Sequence, residues 1–169
     1  MQLDVQGFTT VEGVSNAEPE EFLEVLNSDP AFVKASFLNT GKTQFDLNDA
    51  AMFLWQSEAM EDSHLVAIRD LDSRLAAVLT MLIPHPKEQQ PWIGALIVRR
   101  NLSFDGVAIP LLAALERKLA TDRWNAIYVS PMESQREAIQ HWQSYGYMFV
   151  EARLDNNERN VHVHRKLLK

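Results

Sequence analysis

The segment SFDGVA, residues 103–108, has the clearest potential for chemistry, because it lies between an apolar run and an amphipathic one. A helix that begins here leaves up to four backbone N–H groups without a helical partner, and its macrodipole adds partial positive charge. Gly106 has no Cβ, so a ligand can approach the main chain closely, and Ala108 is the next smallest choice. The segment predicts either an anion site at a helix N-terminus or a plain turn before a core helix.

Other residues with chemical potential are few. His162 and His164 would share one face of a strand, a spacing that suits a metal ion. No third ligand accompanies them, so we favour an ordinary solvent-facing edge strand and predict no metal site. The sequence has no cysteine, which excludes a thiolate nucleophile and a disulfide framework, and it lacks the G-x-S-x-G, P-loop and H-E-x-x-H motifs.

The composition describes one globular domain. With 169 residues, of which 46% are hydrophobic, the chain can bury one sizeable core but hardly two. The net charge of −7 argues against nucleic acid as a partner, because phosphate binding depends on a cationic patch. No apolar segment approaches the roughly 20 residues of a membrane span, and the first residues do not resemble a secretion signal. We therefore expect a soluble, cytoplasmic protein without nucleic-acid or membrane partners.

The first 63 residues are expected to form one strand, at 8–14, followed by helices. The segment 15–29 has helical apolar spacing, with Asn16 as its N-cap. The segment 46–60 predicts another helix, capped by Asp46 or Asn48.

From residue 64 onward, strands alternate with helices. Apolar runs bounded by polar turns predict strands at 64–70, 74–84, 92–99, 125–130, 147–154 and 161–168. A 3.6-residue period predicts amphipathic helices from about residue 106 to 119 and at 133–145, the second closed by Gly146. The first two strands would form a hairpin, and the strand–helix–strand unit at 92–130 requires parallel strands and a right-handed crossover.

Two motifs in this half of the chain resemble the GNAT superfamily of N-acetyltransferases. The acyl-CoA loop of that family reads Arg or Gln, two residues, Gly, one residue, then Gly or Ala, and Ser103 to Ala108 follow it except at the first position. The second family pattern is A-x-x-x-[YW]-x-x-x-G-[FY]. It is matched by Ala138, Trp142, Gly146 and Tyr147.

The resemblance implies an α/β fold with a mixed, splayed central β-sheet flanked by helices, in a single domain over residues 1–169. Residues 64–169 would form the acyl-CoA-binding core, and residues 1–63 the helical, acceptor-side part. Acetyl-CoA, the acyl donor, would lie between the strands at 92–99 and 125–130. Its pantetheine arm would bond the backbone of Leu96, Ile97 and Val98. Its pyrophosphate would lie on the N–H groups of Ser103, Phe104, Asp105, Gly106, Val107, Ala108 and Ile109.

Three residues depart from the family pattern. Ser103 replaces Arg or Gln, and Gln135 replaces a frequent Asn that contacts pantetheine in relatives. Trp142 lies where many relatives have a tyrosine that protonates the departing sulfur of CoA. Indole cannot act as that acid, but a thiol with a pKa of about 8.5 leaves tolerably as the thiolate. We therefore expect weakened binding and slowed catalysis, with Trp142 either packed in the core or lining the acyl pocket.

The acceptor side is less defined by the sequence. An amine with a pKa of about 10.4 is almost fully protonated at neutral pH, so a base is expected. The strand at 92–98 carries no acidic residue, and Glu133 is the candidate base, although it also fits an ordinary acidic residue in the first turn of a helix. Tyr145 is expected to pack in the core. The residues expected to shape the acceptor side are Phe53, Trp55 and Met60.

The favoured function is transfer of an acetyl or other short acyl group from acetyl-CoA to an amine, by direct attack in a ternary complex. The alternative is a non-catalytic GNAT-like domain that binds acyl-CoA as a sensor or interaction module. A third interpretation, a protein-interaction domain without acyl-CoA, would be supported if side chains filled the space beside Gly106. The sequence does not determine the acceptor, the acyl length or the oligomeric state, and it allows a homodimer.

Overall fold

The structure is a computed structural model that describes residues 1–13 and 18–169. Within these ranges the chain forms seven strands and five helices. In chain order they are β1 (Thr9–Glu12), α1 (Pro19–Leu26), α2 (Pro30–Ser36), α3 (Leu47–Glu58), β2 (Ser63–Arg69), β3 (Leu75–Leu82), β4 (Trp92–Val98), α4 (Phe104–Thr121), β5 (Ala126–Val129), α5 (Arg136–Ser144), β6 (Met148–Leu154) and β7 (Asn160–Leu167).

Aspartate side chains set where α2 and α3 begin. The carboxylate of Asp29 accepts hydrogen bonds from the first N–H groups of α2. Asp46, rather than Asn48, caps α3, because its side chain and that of Asp49 form a reciprocal capping box. The predicted cap Asn16 lies outside the described residues, as does residue 14 at the end of the predicted first strand.

The strands form one mixed sheet in the order β1-β2-β3-β4-β5-β7-β6. Neighbouring strands are antiparallel except β4 and β5, which are parallel, as the predicted strand–helix–strand unit requires. The predicted hairpin of β2 and β3 and the final pair of β6 and β7 are both present. The sheet thereby brings the two strands of the proposed cofactor opening side by side.

Helices cover both faces of the sheet. In β2, Val66 and Ile68 belong to a core formed with α4 and α5, whereas Leu65 and Ala67 belong to a core formed with α1, α2 and α3. Alternate residues of a strand point to opposite faces, so the two cores lie on opposite sides of the sheet. No helix in the described part of the chain is long and apolar enough to cross a membrane.

Candidate active site

A cleft opens where β4 and β5 separate. Their pairing consists of Trp92 with Tyr128 and Ile93 with Val129. Beyond these pairs β5 ends, while β4 continues to Val98 beside β3. The space between the strands has a volume of about 380 Å³. The splayed sheet implied by the resemblance is therefore confirmed.

Gly94 marks the position where β4 bends away. The register between β3 and β4 changes between the pairs Thr80–Ala95 and Met81–Ile93, so Gly94 is the extra residue of a β-bulge. A Cβ at this position would lie 2.8 Å from Oγ1 of Thr80. Bulges bend and twist a strand, and this one directly follows the last pair with β5. Sequence reasoning missed Gly94, although a glycine inside an apolar strand is a signal for a bulge.

β4 and α5 form two walls of the cleft. Leu96 and Val98 line it, and the side chain of Ile97 is buried on the opposite face, in the core of α1 to α3. On the other wall, Ala138 and Trp142 line the cleft from α5. Trp142 is also buried against Tyr145 and Tyr147, which meet its ring edge to face. Trp142 thus packs in the core and also borders the cleft, and its role in lining an acyl pocket stays a prediction.

Ser103 organises the loop after β4. It is the N-cap of α4, and its Oγ accepts a hydrogen bond from the N–H of Gly106 at 3.2 Å. This cap explains why α4 begins at Phe104, two residues before the predicted start. A Cβ on Gly106 would lie 3.3 Å from Cβ and 3.4 Å from Oγ of Ser103, so the side chain of Ser103 takes up the space on that side of the glycine.

The remaining residues of the predicted anion loop have separate environments. Val107 and Ala108 are buried in the core that the sheet forms with α4 and α5, and Ile109 is exposed. Phe104 lines the cleft, and its ring stacks on that of His141 with centroids 5.1 Å apart. Of this loop only Phe104 thus lines the cleft, while Val107 and Ala108 pack the helix against the core.

Asp105 and Tyr145 connect α4 to α5. The hydroxyl of Tyr145 donates a hydrogen bond to the carboxylate of Asp105. Partial burial, together with this carboxylate, raises the pKa of Tyr145 well above its usual value. The ring of Tyr145 packs against the core as expected, but its hydroxyl has a polar role that the sequence did not indicate. Asp105 consequently holds a negative charge at the N-terminus of α4, where we predicted a phosphate site.

Two arginines lie at the same end of the cleft. Arg99 is buried and donates to the carboxylate of Asp70 at 2.9 Å, and this hydrogen bond is the main reason that the pKa of Asp70 is lowered. The guanidinium of Arg100 donates to the carbonyl oxygen of Asn27, and its backbone N–H donates to Oγ of Ser28. Both partners are neutral, so neither of them offsets the charge of the guanidinium.

Gln135 lines the cleft beyond β5, and its contact with a cofactor stays a prediction. Its side-chain oxygen accepts a hydrogen bond from the N–H of Met132 at 2.9 Å. The oxygen is thus committed to the turn before α5, and the side-chain NH₂ group is the part that a ligand can use.

Glu133 is not brought to the cleft. Its side chain is 60% exposed, and its carboxylate lies 3.6 Å from Nε2 of His162. The acidic residues that line the cleft are Asp29, at the start of α2, and Glu137, in the first turn of α5. Sequence reasoning missed both, because their approach to β4 depends on how the helices pack. The role of Glu133 as a base stays a prediction.

The residues expected to shape the acceptor side do not line the cleft. Phe53 packs in the core of α1 to α3, while Trp55 and Met60 are exposed, and none of the three lines the cleft. The residues of the first 63 that line the cleft are 28–32, in the turn after α1 and the first turn of α2.

The expectation for the two histidines was wrong in one respect. β7 lies between β5 and β6 and is not an edge strand, and His164 is fully buried. Within residues 1–13 and 18–169, no group of three or more side chains is arranged to hold a metal ion.

Comparisons with known proteins agree on the architecture. No family model and no curated protein matches this sequence. A probable acetyltransferase of the GNAT family from Chromobacterium violaceum matches with a TM-score of 0.79 and 13% identity, over 98% of this chain and 85% of that one. An acetyltransferase from Thermus thermophilus matches with a TM-score of 0.68 and 15% identity, over 99% and 100%. Spermidine N-acetyltransferase from Vibrio cholerae, in complex with CoA and spermine, matches with a TM-score of 0.67 and 12% identity, over 96% of both chains. The chain therefore shares its overall fold with these proteins, which include a probable acetyltransferase of the GNAT family.

Proposed function

We propose that this protein transfers an acetyl or other short acyl group from acetyl-CoA to an amine, by direct attack in a ternary complex. The observation that carries the proposal is the separation of β4 from β5 after Ile93, around a cleft of about 380 Å³. The edge of β4 that β5 leaves uncovered carries backbone N–H and C=O groups that need partners. The amides of a pantetheine arm would supply them along Leu96, Ile97 and Val98.

The loop before α4 would hold the diphosphate of the donor. Within the described chain, the N–H groups of Phe104 and Asp105 make no hydrogen bond, and they lie at the positive end of the helix dipole. The side chain that the family carries at position 103 is replaced by the short Ser103. We propose that Arg100 supplies the missing positive charge, because its guanidinium is bonded to a neutral carbonyl group.

The acetyl group would lie near Gly94, where the strands part, with Trp142 against it. When bound, acetyl-CoA supplies an activated thioester carbonyl. This chain would position the amine, accept its proton and exclude water. Glu133 remains the base proposed from the sequence, and the groups in the cleft that suit the task are Glu137 and His141. Trp142 cannot protonate the sulfur, and the raised pKa of Tyr145 makes its hydroxyl a weak acid. The sulfur would therefore leave as the thiolate.

Thermal unfolding with and without acetyl-CoA tests the cofactor part of the proposal. Acetyl-CoA should raise the Tm of the wild-type protein, because a ligand that binds the folded state stabilises it. Gly106→Asp should abolish the rise, since it adds a second carboxylate beside Asp105 and a Cβ 3.3 Å from that of Ser103. A wild-type Tm that does not change at millimolar acetyl-CoA would contradict the proposal.

A non-catalytic acyl-CoA-binding sensor or interaction module is the second candidate. It is favoured by Trp142 at the position of the usual acid and by the commitment of the Tyr145 hydroxyl to Asp105. Release of free CoA thiol with a panel of amines separates the two functions. Sustained release with any amine excludes the pure binder, whereas binding without release for every amine supports it.

A further inference from the structure

The outer side of α3 carries an exposed apolar stripe. Leu47, Ala51, Trp55 and Ala59 recur every four residues, so they follow one another along one side of the helix. All four are exposed, Trp55 by 66%, and Met52, three residues before Trp55 on the helix, is exposed by 53%. A contiguous apolar surface of this kind is typical of a site that contacts another molecule.

The inner side of α3 already has its partner within the domain. Ala50 is buried, and the ring of Phe53 lies 5.9 Å from the ring of Phe22 on α1. The outer stripe is therefore not what holds the helix on the domain. Trp55 does not line the cleft either, so the proposed acetyl transfer gives it no role. A helix that is apolar on opposite sides is expected to be covered on both.

The stripe lies in an acidic part of the chain. Between Lys42 and Arg69 the sequence contains no Lys or Arg. The same segment contains five acidic residues, which are Asp46, Asp49, Glu58, Glu61 and Asp62. At the N-terminal end of α3, the ammonium group of Lys42 lies within 3.1 Å of two of these carboxylates and partly offsets them.

The negative charge is concentrated at the C-terminal end of α3. Glu58 is the last residue of the helix, and Glu61 and Asp62 follow within four positions. The last turn has no basic residue, and the helix dipole adds partial negative charge at the same end. None of these three carboxylates forms an ion pair within the described residues. A cation next to the apolar stripe would complement both the carboxylates and the dipole.

These charges select among the molecules that could cover the stripe. In a pair of α3 helices from two copies, the acidic C-terminal end would meet either itself or the end where Lys42 is already bonded to two carboxylates. Helices that lie on membranes carry Lys and Arg beside their apolar face, and α3 has neither. A basic amphipathic helix fits, since it offers apolar side chains to the stripe and Lys or Arg to the carboxylates.

We propose that the outer side of α3 is a docking site for a basic amphipathic helix of another protein. Trp55 and Met52 provide the main apolar contacts, because aromatic and methionine side chains are enriched at interfaces and methionine adapts to irregular surfaces. Glu58 and Glu61 bind the cationic side chains of the partner. The site lies outside the cleft, so this inference goes beyond the proposed function and does not depend on it.

A synthetic peptide tests the docking site. The probe is a labelled amphipathic helix of Leu and Lys, about 18 residues or five turns long, with all Leu on one face. Fluorescence anisotropy should show saturable binding of this peptide to the full chain. Trp55→Gln removes an apolar contact without a change of charge and should weaken binding by about tenfold or more. Glu58→Gln/Glu61→Gln should weaken it by about fivefold and reduce its dependence on salt.

Leu71→Gln is the matched control, because it also replaces an apolar side chain by an amide. Leu71 is 86% exposed in the turn between β2 and β3, and its replacement should leave the Kd unchanged. A second peptide, with Glu in place of every Lys, should not bind. Absence of saturable binding, equal effects of Trp55→Gln and Leu71→Gln, or equal binding of the Glu peptide would overturn the proposal.

Two further measurements address the other molecules that could cover the stripe. Sedimentation velocity should show no dimer that Trp55→Gln dissociates. Phosphatidylcholine vesicles should show no binding that Trp55→Gln abolishes. Either of these Trp55-dependent associations would assign the stripe to a second copy or to lipid and would overturn the proposal. Circular dichroism of each variant separates loss of binding from loss of folding.

Discussion

Asp105 places a negative charge where the proposed donor would bring two phosphate groups. The N-terminus of α4 favours an anion, and in this structure the chain's own carboxylate lies there, bonded to Tyr145. The nearby charge of Arg100 works in the opposite direction. At the scale of single residues, donor affinity is thus a balance between these two side chains.

Asp105→Asn should strengthen acetyl-CoA binding by about two- to fivefold, the usual effect of one charge at a helix terminus. Isothermal titration calorimetry measures this directly. S-acetylpantetheine, which lacks the diphosphate, should show no such gain. Asp122→Asn at the other end of α4 is the matched control and should leave the Kd unchanged. Equal or weaker acetyl-CoA binding by Asp105→Asn would contradict this balance.

Arg100→Gln should weaken acetyl-CoA binding by about tenfold, because a charged hydrogen bond to a phosphate is lost. The Kd for S-acetylpantetheine should not change. Arg117→Gln, on the exposed side of α4, serves as the control with the same loss of charge. If Arg100→Gln and Arg117→Gln have the same small effect, Arg100 is not the diphosphate ligand.

The sequence predicts part of this residue pattern. Ser103 to Ala108 and Trp142 could be singled out because their types and spacing are local properties of the chain. The hydrogen bond between Asp105 and Tyr145 could not be predicted, because the two residues are 40 positions apart in the chain. Glu137 was likewise missed, since its distance from the cleft depends on helix packing.

At the scale of elements, β4 determines the cleft. It keeps its pairing with β3 up to Val98, loses β5 after Ile93, and bends at the bulge of Gly94. Apolar runs predict β2 to β5 well because these four strands are largely buried, whereas β6 is exposed along most of its length. The start of α4 was predicted two residues late, because the cap of Ser103 draws Phe104 and Asp105 into the helix.

Gly94→Ala should destabilise the fold by about 1–3 kcal/mol, because the added Cβ would lie 2.8 Å from Oγ1 of Thr80. Urea unfolding followed by tryptophan fluorescence measures the change. The double variant Gly94→Ala/Thr80→Ala should recover most of the loss relative to Thr80→Ala alone. Additive effects of the two substitutions would argue against this contact.

At the scale of the whole molecule, ion pairs join elements that are distant in the chain. The pair of Asp70 and Arg99 connects the turn between β2 and β3 to the end of β4, beside the cleft. The single mixed sheet was foreseen from the order of elements and the resemblance. The strand of His162 and His164 was expected at an edge of the sheet, but β7 lies between β5 and β6. Sequence order alone does not reveal which strand lies at the edge.

Asp70→Asn should alter the acid stability of the protein. The pKa of Asp70 is lower in the folded state, chiefly because of the hydrogen bond from Arg99. The pair therefore stabilises the fold at pH values above the ordinary carboxyl pKa. This stabilisation is lost as the pH falls through the pKa of the folded state. At pH 7 the free energy of unfolding of the variant should be about 1–3 kcal/mol lower than that of the wild type. On acidification below about pH 4, the free energy of unfolding should fall less for the variant than for the wild type. Asp72→Asn, in the same turn, should follow the wild-type profile. Parallel profiles for Asp70→Asn and the wild type would contradict the assignment.

The most direct test of the central claim is a crystal structure of the protein grown with CoA. The account predicts a pantetheine arm between β4 and β5, bonded to the backbone of Leu96 to Val98, with the diphosphate beside Phe104 and Arg100. CoA on another surface, or crystals grown in millimolar CoA whose cleft contains no cofactor, would contradict it.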